Sequence, residues 1–220
     1  MVLATIRRTA ISLPRCRLYL ITPPVIQDYR LWVPTLESAL DAGDVACLQI
    51  RLKNMDDDSM ARVIDVLRPP AQKRGIAVLL NDHPELAFET GCDGVHIGQE
   101  DPPYAQARKA VGPDKIIGVT CHNSRHLAMD AGEKGADYVA FGSFYHTDTK
   151  EVEHHATPEI LEWWSHVFTV PCVAIGGITV ENARPLIKAG ADFLAVSGGV
   201  WNHPDGPATA VAKFNKILGE

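Results

Sequence analysis

The chain has 220 residues, of which 46% are hydrophobic and 22% charged, and its formal net charge is −6 at pH 7. This acidic balance argues against nucleic acid as a partner, because nucleic-acid binding favours a basic face. No run approaches the roughly 20 apolar residues that a membrane span requires. The five cysteines are scattered and have no C-x-x-C spacing, so we expect a cytoplasmic protein with neither a disulfide framework nor a zinc ribbon.

The predicted strands are short and apolar. The first residues, 1–15, have no long apolar run and no small-residue cleavage site, so we interpret them as a lead-in to the first strand. Eight segments rich in Val, Ile, Leu and Ala are predicted strands, at 17–21, 46–51, 77–81, 94–97, 115–119, 138–141, 172–175 and 193–196. Most lack polar alternation, which indicates strands buried on both faces, as in a parallel sheet.

Longer segments with helical periodicity lie between the strands. We predict helices at 32–41, 55–67, 124–134, 158–166 and 180–188. The predicted N-caps are Asp56, Ser124, Thr157 and Thr179. Three glycines that follow helices suit the left-handed position of an αβ turn: Gly43, Gly135 and Gly190. No linker divides the chain, so we predict one domain over 1–220.

Eight βα units are compatible with a closed barrel or with an open doubly wound sheet. An open sheet usually carries a glycine-rich turn after its first strand, whereas Thr22-Pro23-Pro24 follows here. Glycines concentrate after the seventh and eighth strands, where barrels place a phosphate site. We therefore predict an α/β fold, a single-domain parallel (β/α)8 TIM barrel, with functional residues at the carboxyl ends of its strands.

The end of the second predicted strand carries an amide and two cations. Strand alternation places Gln49, Arg51 and Lys53 on one side, away from Ile50 and Leu52. A guanidinium and an ammonium at a barrel mouth suit a diphosphate. The alternative is a salt-bridged surface loop.

Two aspartates follow the third and fourth predicted strands. Adjacent strands lie roughly 4.8 Å apart, so Asp82 and Asp101 can share one ion. Magnesium takes one or two protein carboxylates and completes its shell with water and substrate phosphate. The alternative is that both aspartates are helix N-caps, since Pro84 and Pro102 suit a first helical turn.

Three later loops offer phosphate contacts. The loop after the sixth strand contains Thr147, Thr149 and Lys150, which could close over a phosphorylated ligand. Backbone N–H groups of Gly176-Gly177 and of Ser197-Gly198-Gly199 suit a phosphate monoester.

Seven segments at these strand ends form one ordered set: Tyr19-Leu20-Ile21-Thr22, Gln49-x-Arg51-x-Lys53, Asn81-Asp82, Asp93-Gly94-Val95-His96-Ile97-Gly98-Gln99-Glu100-Asp101, Gly118-Val119-Thr120, Thr147-x-Thr149-Lys150 and Ala174-Ile175-Gly176-Gly177-Ile178-Thr179. Together they resemble the thiamine-phosphate synthase family. The combination is far more specific than any single segment.

The resemblance implies a transferase of thiamine biosynthesis, with Mg²⁺ as cofactor, that joins hydroxymethylpyrimidine diphosphate to hydroxyethylthiazole phosphate and releases pyrophosphate. The residues it implies at the pyrimidine diphosphate are Gln49, Arg51, Lys53 and Asn81. The implied magnesium ligands are Asp82 and Asp101, and the implied diphosphate contacts are Thr120 and Lys150. The residues it implies at the thiazole phosphate are Thr147, Thr149, Gly177, Ser197 and Gly198. The predicted catalytic residues among them are Arg51, Lys53, Thr120 and Lys150.

The chain departs from the family pattern at Leu52, His83, Ser143, His146 and Ser197-Gly198-Gly199. Two alternative functions stay open. One is a thiazole tautomerase, a sister barrel in which His122 would act as acid and base. The other is a non-catalytic protein that binds thiamine precursors. A homodimer is compatible with the sequence.

Overall fold

The computed structural model of the protein describes residues 16–53, 55–147 and 154–219. Eight parallel strands pair in chain order, and the last pairs with the first to close a barrel. The strands are β1 (Arg17–Ile21), β2 (Val45–Ile50), β3 (Ala77–Asn81), β4 (Gly94–Ile97), β5 (Ile116–His122), β6 (Tyr138–Phe141), β7 (Cys172–Ile175) and β8 (Phe193–Val196). The predicted parallel (β/α)8 barrel is confirmed, while residues 1–15 of the predicted lead-in lie outside the described residues.

Helices connect the strands. They are α1 (Tyr29–Leu40), α2 (Asp57–Gln72), α3 (Pro84–Glu89), α4 (Tyr104–Val111), α5 (Arg125–Lys134), α6 (Pro158–Val167), α7 (Arg184–Lys188), α8 (Gly198–Trp201) and α9 (Pro207–Leu218). Four of them, α3, α4, α8 and α9, correspond to no predicted segment. Both α3 and α8 are too short for a period of 3.6 residues to be visible in the sequence.

Two of the predicted N-caps are confirmed. Asp56 Oδ1 accepts the Ser59 N–H at 2.8 Å, and Ser124 Oγ accepts the Leu127 N–H at 3.3 Å. Thr157 does precede α6, but its side chain makes no capping hydrogen bond. The cap at Thr179 is wrong, because α7 begins only at Arg184.

Two of the three predicted turn glycines are confirmed. Gly135 and Gly190 have φ values of 98° and 94°, in the region that favours glycine. Gly43 does not have a positive φ, so that prediction is wrong. A side chain there would instead collide with Asn215 of α9, whose carboxamide accepts the Asp44 N–H at 2.9 Å.

Buried side chains form two clusters, because strand residues alternate between the barrel interior and the layer that faces the helices. On β1, Leu18 and Leu20 belong to the outer cluster, and Tyr19 and Ile21 to the interior. Because each strand is buried on both faces, its segment of the sequence is a nearly continuous apolar run.

Three aspartates each precede an even-numbered strand and clamp it to the strand before. One carboxylate oxygen accepts a backbone N–H in each clamp: Asp93 from Val78 at 2.8 Å, Asp137 from Ile117 at 2.8 Å and Asp192 from Cys172 at 2.9 Å. The Gly-Ala-Asp repeat before β6 and β8 is therefore structural. In the described ranges, no helix is both long and apolar enough to cross a membrane.

Candidate active site

The carboxyl end of β2 adjoins that of β3 at the barrel mouth. Gln49 is 2% exposed and lies in the interior, where its Nε2 donates to Asn81 Oδ1 at 2.6 Å. This contact joins two of the residues predicted to hold the pyrimidine diphosphate.

Arg51 and Lys53 lie just beyond β2, so strand alternation does not govern their side chains. The backbone at Arg51 is held by Thr22, whose Oγ1 accepts the Arg51 N–H at 2.9 Å and donates to the Arg51 carbonyl at 3.0 Å. The Lys53 N–H donates to the Pro24 carbonyl at 3.0 Å. Neither side chain forms an ion pair within 16–53, 55–147 and 154–219, which gives the alternative of a salt-bridged loop no support.

Asp82 and Asp101 are both anchored at the end of β4. The Asp82 N–H donates to the His96 carbonyl at 2.8 Å, and Asp82 has a φ of 68°, which is uncommon for a residue other than glycine. The Gly98 N–H donates to Asp101 Oδ2 at 2.6 Å.

The helix-cap alternative for these aspartates is wrong. The residue before α3 is His83 and the residue before α4 is Pro103, and neither helix has a side-chain cap bond. Neither aspartate is therefore the N-cap residue of the helix that follows it. The two aspartates lie after neighbouring strands, and carboxylate oxygens are the ligand type that a hard cation such as Mg²⁺ takes.

The loop after β6 packs over the end of β7. The Phe144 and Tyr145 N–H groups donate to the Ile175 and Gly176 carbonyls at 3.2 and 3.0 Å. Gly177 has a φ of 63°, and a side chain there would collide with this loop. Thr147 lies at the far end of the described part of the loop, whereas the predicted Thr149 and Lys150 lie outside the described residues.

The predicted phosphate turn connects β8 to α8. Ser197 Oγ donates to the Thr22 carbonyl at 3.1 Å, which ties this turn to the end of β1. Gly198 begins the four-residue α8. Gly177, Ser197 and Gly198 thus lie at the same end of the barrel as Gln49 and Asn81.

The barrel interior also contains three polar residues without a predicted role, Tyr19, Tyr138 and His96, and they connect three of the predicted site residues. Six side chains from six strands form one continuous path of hydrogen bonds, which we call the interior network: Asn81, Gln49, Tyr19, Tyr138, His96 and Thr120. From the Gln49–Asn81 contact the path continues to the Tyr19 hydroxyl, which donates to Gln49 Oε1 at 3.3 Å and lies 2.9 Å from the Tyr138 hydroxyl.

The second half of the interior network runs through His96. The Tyr138 hydroxyl lies 2.8 Å from His96 Nδ1, and His96 Nε2 lies 2.8 Å from Thr120 Oγ1. Tyr19, Tyr138 and His96 all occupy interior-facing strand positions. That alternation is the signal in the sequence from which they could have been found.

His122, the residue of the tautomerase alternative, is not part of the interior network. It ends β5 with a φ of 52°, and its ring centroid lies 4.5 Å from that of His154. The β5 side chain that enters the interior network is Thr120.

The closed barrel and the polar residues at its mouth place the chain among the (β/α)8 barrel enzymes. The family model described as thiamine monophosphate synthase matches residues 18–200. The chain therefore belongs to the thiamine monophosphate synthase family, and the family predicted from the sequence is confirmed.

Individual relatives agree along nearly the whole chain. A thiamine-phosphate synthase of Rhodospirillum centenum is 64% identical over 203 residues, which are 92% of this chain and 98% of the relative. A thiamine-phosphate synthase of Hyphomonas neptunium is 56% identical over 96% of this chain and 97% of the relative. The solved thiamine phosphate pyrophosphorylase of Pyrococcus furiosus has a TM-score of 0.80 and 32% identity, covering 94% of this chain and 96% of that chain.

Proposed function

We propose that the protein is a thiamine-phosphate synthase, a transferase that joins hydroxymethylpyrimidine diphosphate to hydroxyethylthiazole phosphate and releases pyrophosphate. The observation that carries this proposal is the grouping at one barrel mouth of Asn81 and Asp82 after β3 with Asp101 over the end of β4. The 64% identity to a relative named for this activity supports it.

In this reaction the thiazole nitrogen forms a bond to the pyrimidine methylene carbon. The bond from that carbon to the diphosphate oxygen breaks, and the diphosphate leaves with the electron pair. No nucleophile from the protein is needed. The protein's main task is to stabilise the charge that develops on the leaving diphosphate, and Arg51, Lys53 and Lys150 are the cations proposed for it.

Asp82 and Asp101 are the proposed ligands of Mg²⁺. When bound, the ion would neutralise part of the charge on the diphosphate. Within 16–53, 55–147 and 154–219 no group of three or more His, Cys, Asp and Glu side chains could hold a metal. A two-carboxylate donor set agrees with magnesium, which completes its shell with water and phosphate.

The remaining contacts follow the same proposal. Gln49, Asn81 and Thr120 would contact the pyrimidine diphosphate, and Thr147 and Thr149 the thiazole. The substrate contacts proposed for the thiazole phosphate group are Gly177, Ser197 and Gly198. The cysteines are free thiols, in line with a cytoplasmic location, and the homodimer stays a prediction.

The first test is pyrophosphate release. We expect release only when both substrates and Mg²⁺ are present, and we expect a chelator to abolish it. Asp82→Asn and Asp101→Asn should each lower kcat/KM by about 100-fold or more, because each removes one anionic ligand. Asp130→Asn, in the exposed Asp130–Lys134 pair of α5, is the matched control and should retain full activity.

The same assay separates the alternatives. A thiazole tautomerase would isomerise its substrate after Asp82→Asn and lose that activity after His122→Ala. A binding protein would give heat on titration with either precursor but no pyrophosphate. Release that persists in excess chelator would contradict the magnesium proposal.

A further inference from the structure

We infer that the interior network couples the hydrogen-bonding direction of Asn81 to that of Thr120, and that Tyr19, Tyr138 and His96 are the positioning residues that transmit this coupling. The inference rests on the proposed function, because it takes a diphosphate as the ligand at Thr120. It extends the proposed site to three residues that need not touch the substrate.

The interior network reaches the barrel mouth at its two ends only. Gln49, Tyr19, His96 and Tyr138 are 2%, 3%, 6% and 6% exposed. The end residues, Asn81 and Thr120, are half-buried. A ligand at the mouth can therefore act on the path only through those two side chains.

With the Gln49 amide nitrogen directed at Asn81, its amide oxygen directed at Tyr19 and His96 neutral, proton counting gives the direction of every other hydrogen bond in the path. The Tyr19 hydroxyl donates its single proton to Gln49, so its oxygen must accept from Tyr138. Tyr138 has then used its own proton and must accept from His96 Nδ1–H. A neutral imidazole protonated at Nδ1 accepts at Nε2, so the Thr120 hydroxyl points its proton at His96.

With His96 neutral, reversing every hydrogen bond of the path gives a second arrangement that also satisfies all six side chains. If both carboxamides turn through 180°, Asn81 donates to Gln49 and Gln49 donates to Tyr19. Each hydroxyl then reverses, the imidazole proton moves from Nδ1 to Nε2, and Thr120 accepts from His96. The Thr120 hydroxyl proton is now available to a ligand, and the Asn81 carbonyl oxygen is turned away from Gln49.

A diphosphate selects between these arrangements, because its oxygens accept hydrogen bonds and do not donate them. Binding at Thr120 requires the hydroxyl to donate, which reverses the whole path. Asn81 then offers an acceptor, so a pyrimidine ring with a donor substituent, such as an amino group, is favoured over one with an acceptor. The two ends of the substrate are thereby recognised together.

The surroundings keep the path intact. Burial raises the pKa of both the Tyr19 and Tyr138 phenols well above the ordinary value, so each retains one proton to donate. Gly118, opposite Tyr138 on the neighbouring strand, leaves the space that the Tyr138 ring occupies. The interior around the path is otherwise largely apolar, with Leu79 and Ala140 among its members.

The test combines a tautomer measurement with kinetics. Nitrogen-15 NMR of labelled protein, with the His96 signals assigned by their loss in His96→Gln, reports which ring nitrogen carries the proton. We expect Nδ1–H in the free protein and Nε2–H after addition of inorganic pyrophosphate and Mg²⁺. Tyr138→Phe keeps the ring but breaks the path, so the tautomer should no longer respond to pyrophosphate.

Kinetically, Tyr138→Phe should lower kcat/KM for the pyrimidine diphosphate by about 10- to 100-fold. The KM for the thiazole phosphate should not change. The control is Tyr104→Phe, which removes a hydroxyl that donates to the Gly135 carbonyl at 2.7 Å, away from the interior network. A general loss of packing would affect both variants, whereas a loss of positioning affects only Tyr138→Phe.

Two results would overturn the inference: the same His96 tautomer with and without pyrophosphate, or equal kcat/KM values for Tyr138→Phe and Tyr104→Phe. Failure of the proposed function is a separate result. It would appear as no pyrophosphate release by the wild-type protein, and the NMR measurement needs no turnover.

Discussion

At the scale of single residues, Gly118 shows how closely the barrel interior is packed. A side chain at this position would collide with the Tyr138 ring on the neighbouring strand. We therefore expect Gly118→Ala to lower the free energy of unfolding by about 1–3 kcal/mol, since the Tyr138 ring has to be displaced from its position. Because the ring belongs to the interior network, kcat/KM for the pyrimidine diphosphate should fall as well.

Gly132→Ala in α5 is the matched control for this substitution. A methyl group there would meet Trp164 and Val170 at ordinary contact distances of 3.6 and 3.9 Å. We expect it to raise stability slightly, by up to about 1 kcal/mol, because alanine favours the helix. Urea unfolding of both variants is the measurement, and equal stabilities would contradict this account of Gly118.

At the scale of elements, the aspartate clamps hold neighbouring strands together. Asp137 Oδ2 accepts the Ile117 N–H and also receives Arg108 Nη2 at 2.9 Å. Asp137→Ala leaves the backbone N–H without its acceptor, so we expect a loss of about 1–3 kcal/mol in the free energy of unfolding.

The comparison for the clamp is Asp130→Ala, which removes an exposed pair with Lys134 on the same helix. Such pairs contribute about 0.2–0.5 kcal/mol. If the slopes of the urea denaturation curves are unchanged, these curves give the difference in the free energy of unfolding between Asp137→Ala and Asp130→Ala directly. A loss no larger in Asp137→Ala than in Asp130→Ala would mean that the clamps do not stabilise the barrel.

The strands could be predicted from the sequence because burial on both faces leaves an apolar signal within each segment. The placement of Asp82 and Asp101 at the barrel mouth could be predicted because all parallel strands end at one mouth, whereas their role stays a prediction. Strand alternation indicates which side chains face the interior, but the hydrogen bonds of the interior network could not be predicted, because they depend on which side chains meet across the closed barrel. Tyr138 and His96 lie on β6 and β4, and only the curvature of the barrel brings them within 2.8 Å.

The short helices could not be predicted from the sequence for a different reason. α3 has six residues and begins at Pro84, so its apolar positions do not complete two turns. The glycine roles were only partly visible, since Gly43 and Gly135 look alike in the sequence. What distinguishes them is the neighbour at Gly43, Asn215, which lies 172 residues away along the chain.

At the scale of the whole molecule, the barrel buries thiol and phenol groups, and burial favours their protonated forms. Burial is the largest cause of the raised pKa of four thiols and two interior phenols: Cys16, Cys47, Cys92, Cys121, Tyr19 and Tyr138. For Cys121 the pKa is raised to about 12. The unfolded chain ionises such thiols near 9 and such phenols near 10, so it binds fewer protons than the folded protein at alkaline pH.

We therefore expect the free energy of unfolding to be highest below about pH 9 and to fall as the pH rises through 9 and 10. Each group that ionises only after unfolding contributes a slope of about 1.4 kcal/mol per pH unit. Urea unfolding at several pH values, with a reductant present, measures the decline, while phenolate absorbance follows the tyrosines. Tyr19 and Tyr138 should ionise only together with unfolding. The phenolate absorbance that appears on unfolding at alkaline pH should therefore be smaller by one phenol in Tyr138→Phe. A stability that is constant from pH 8 to pH 11, or two interior phenols that ionise in the folded barrel, would contradict the expectation.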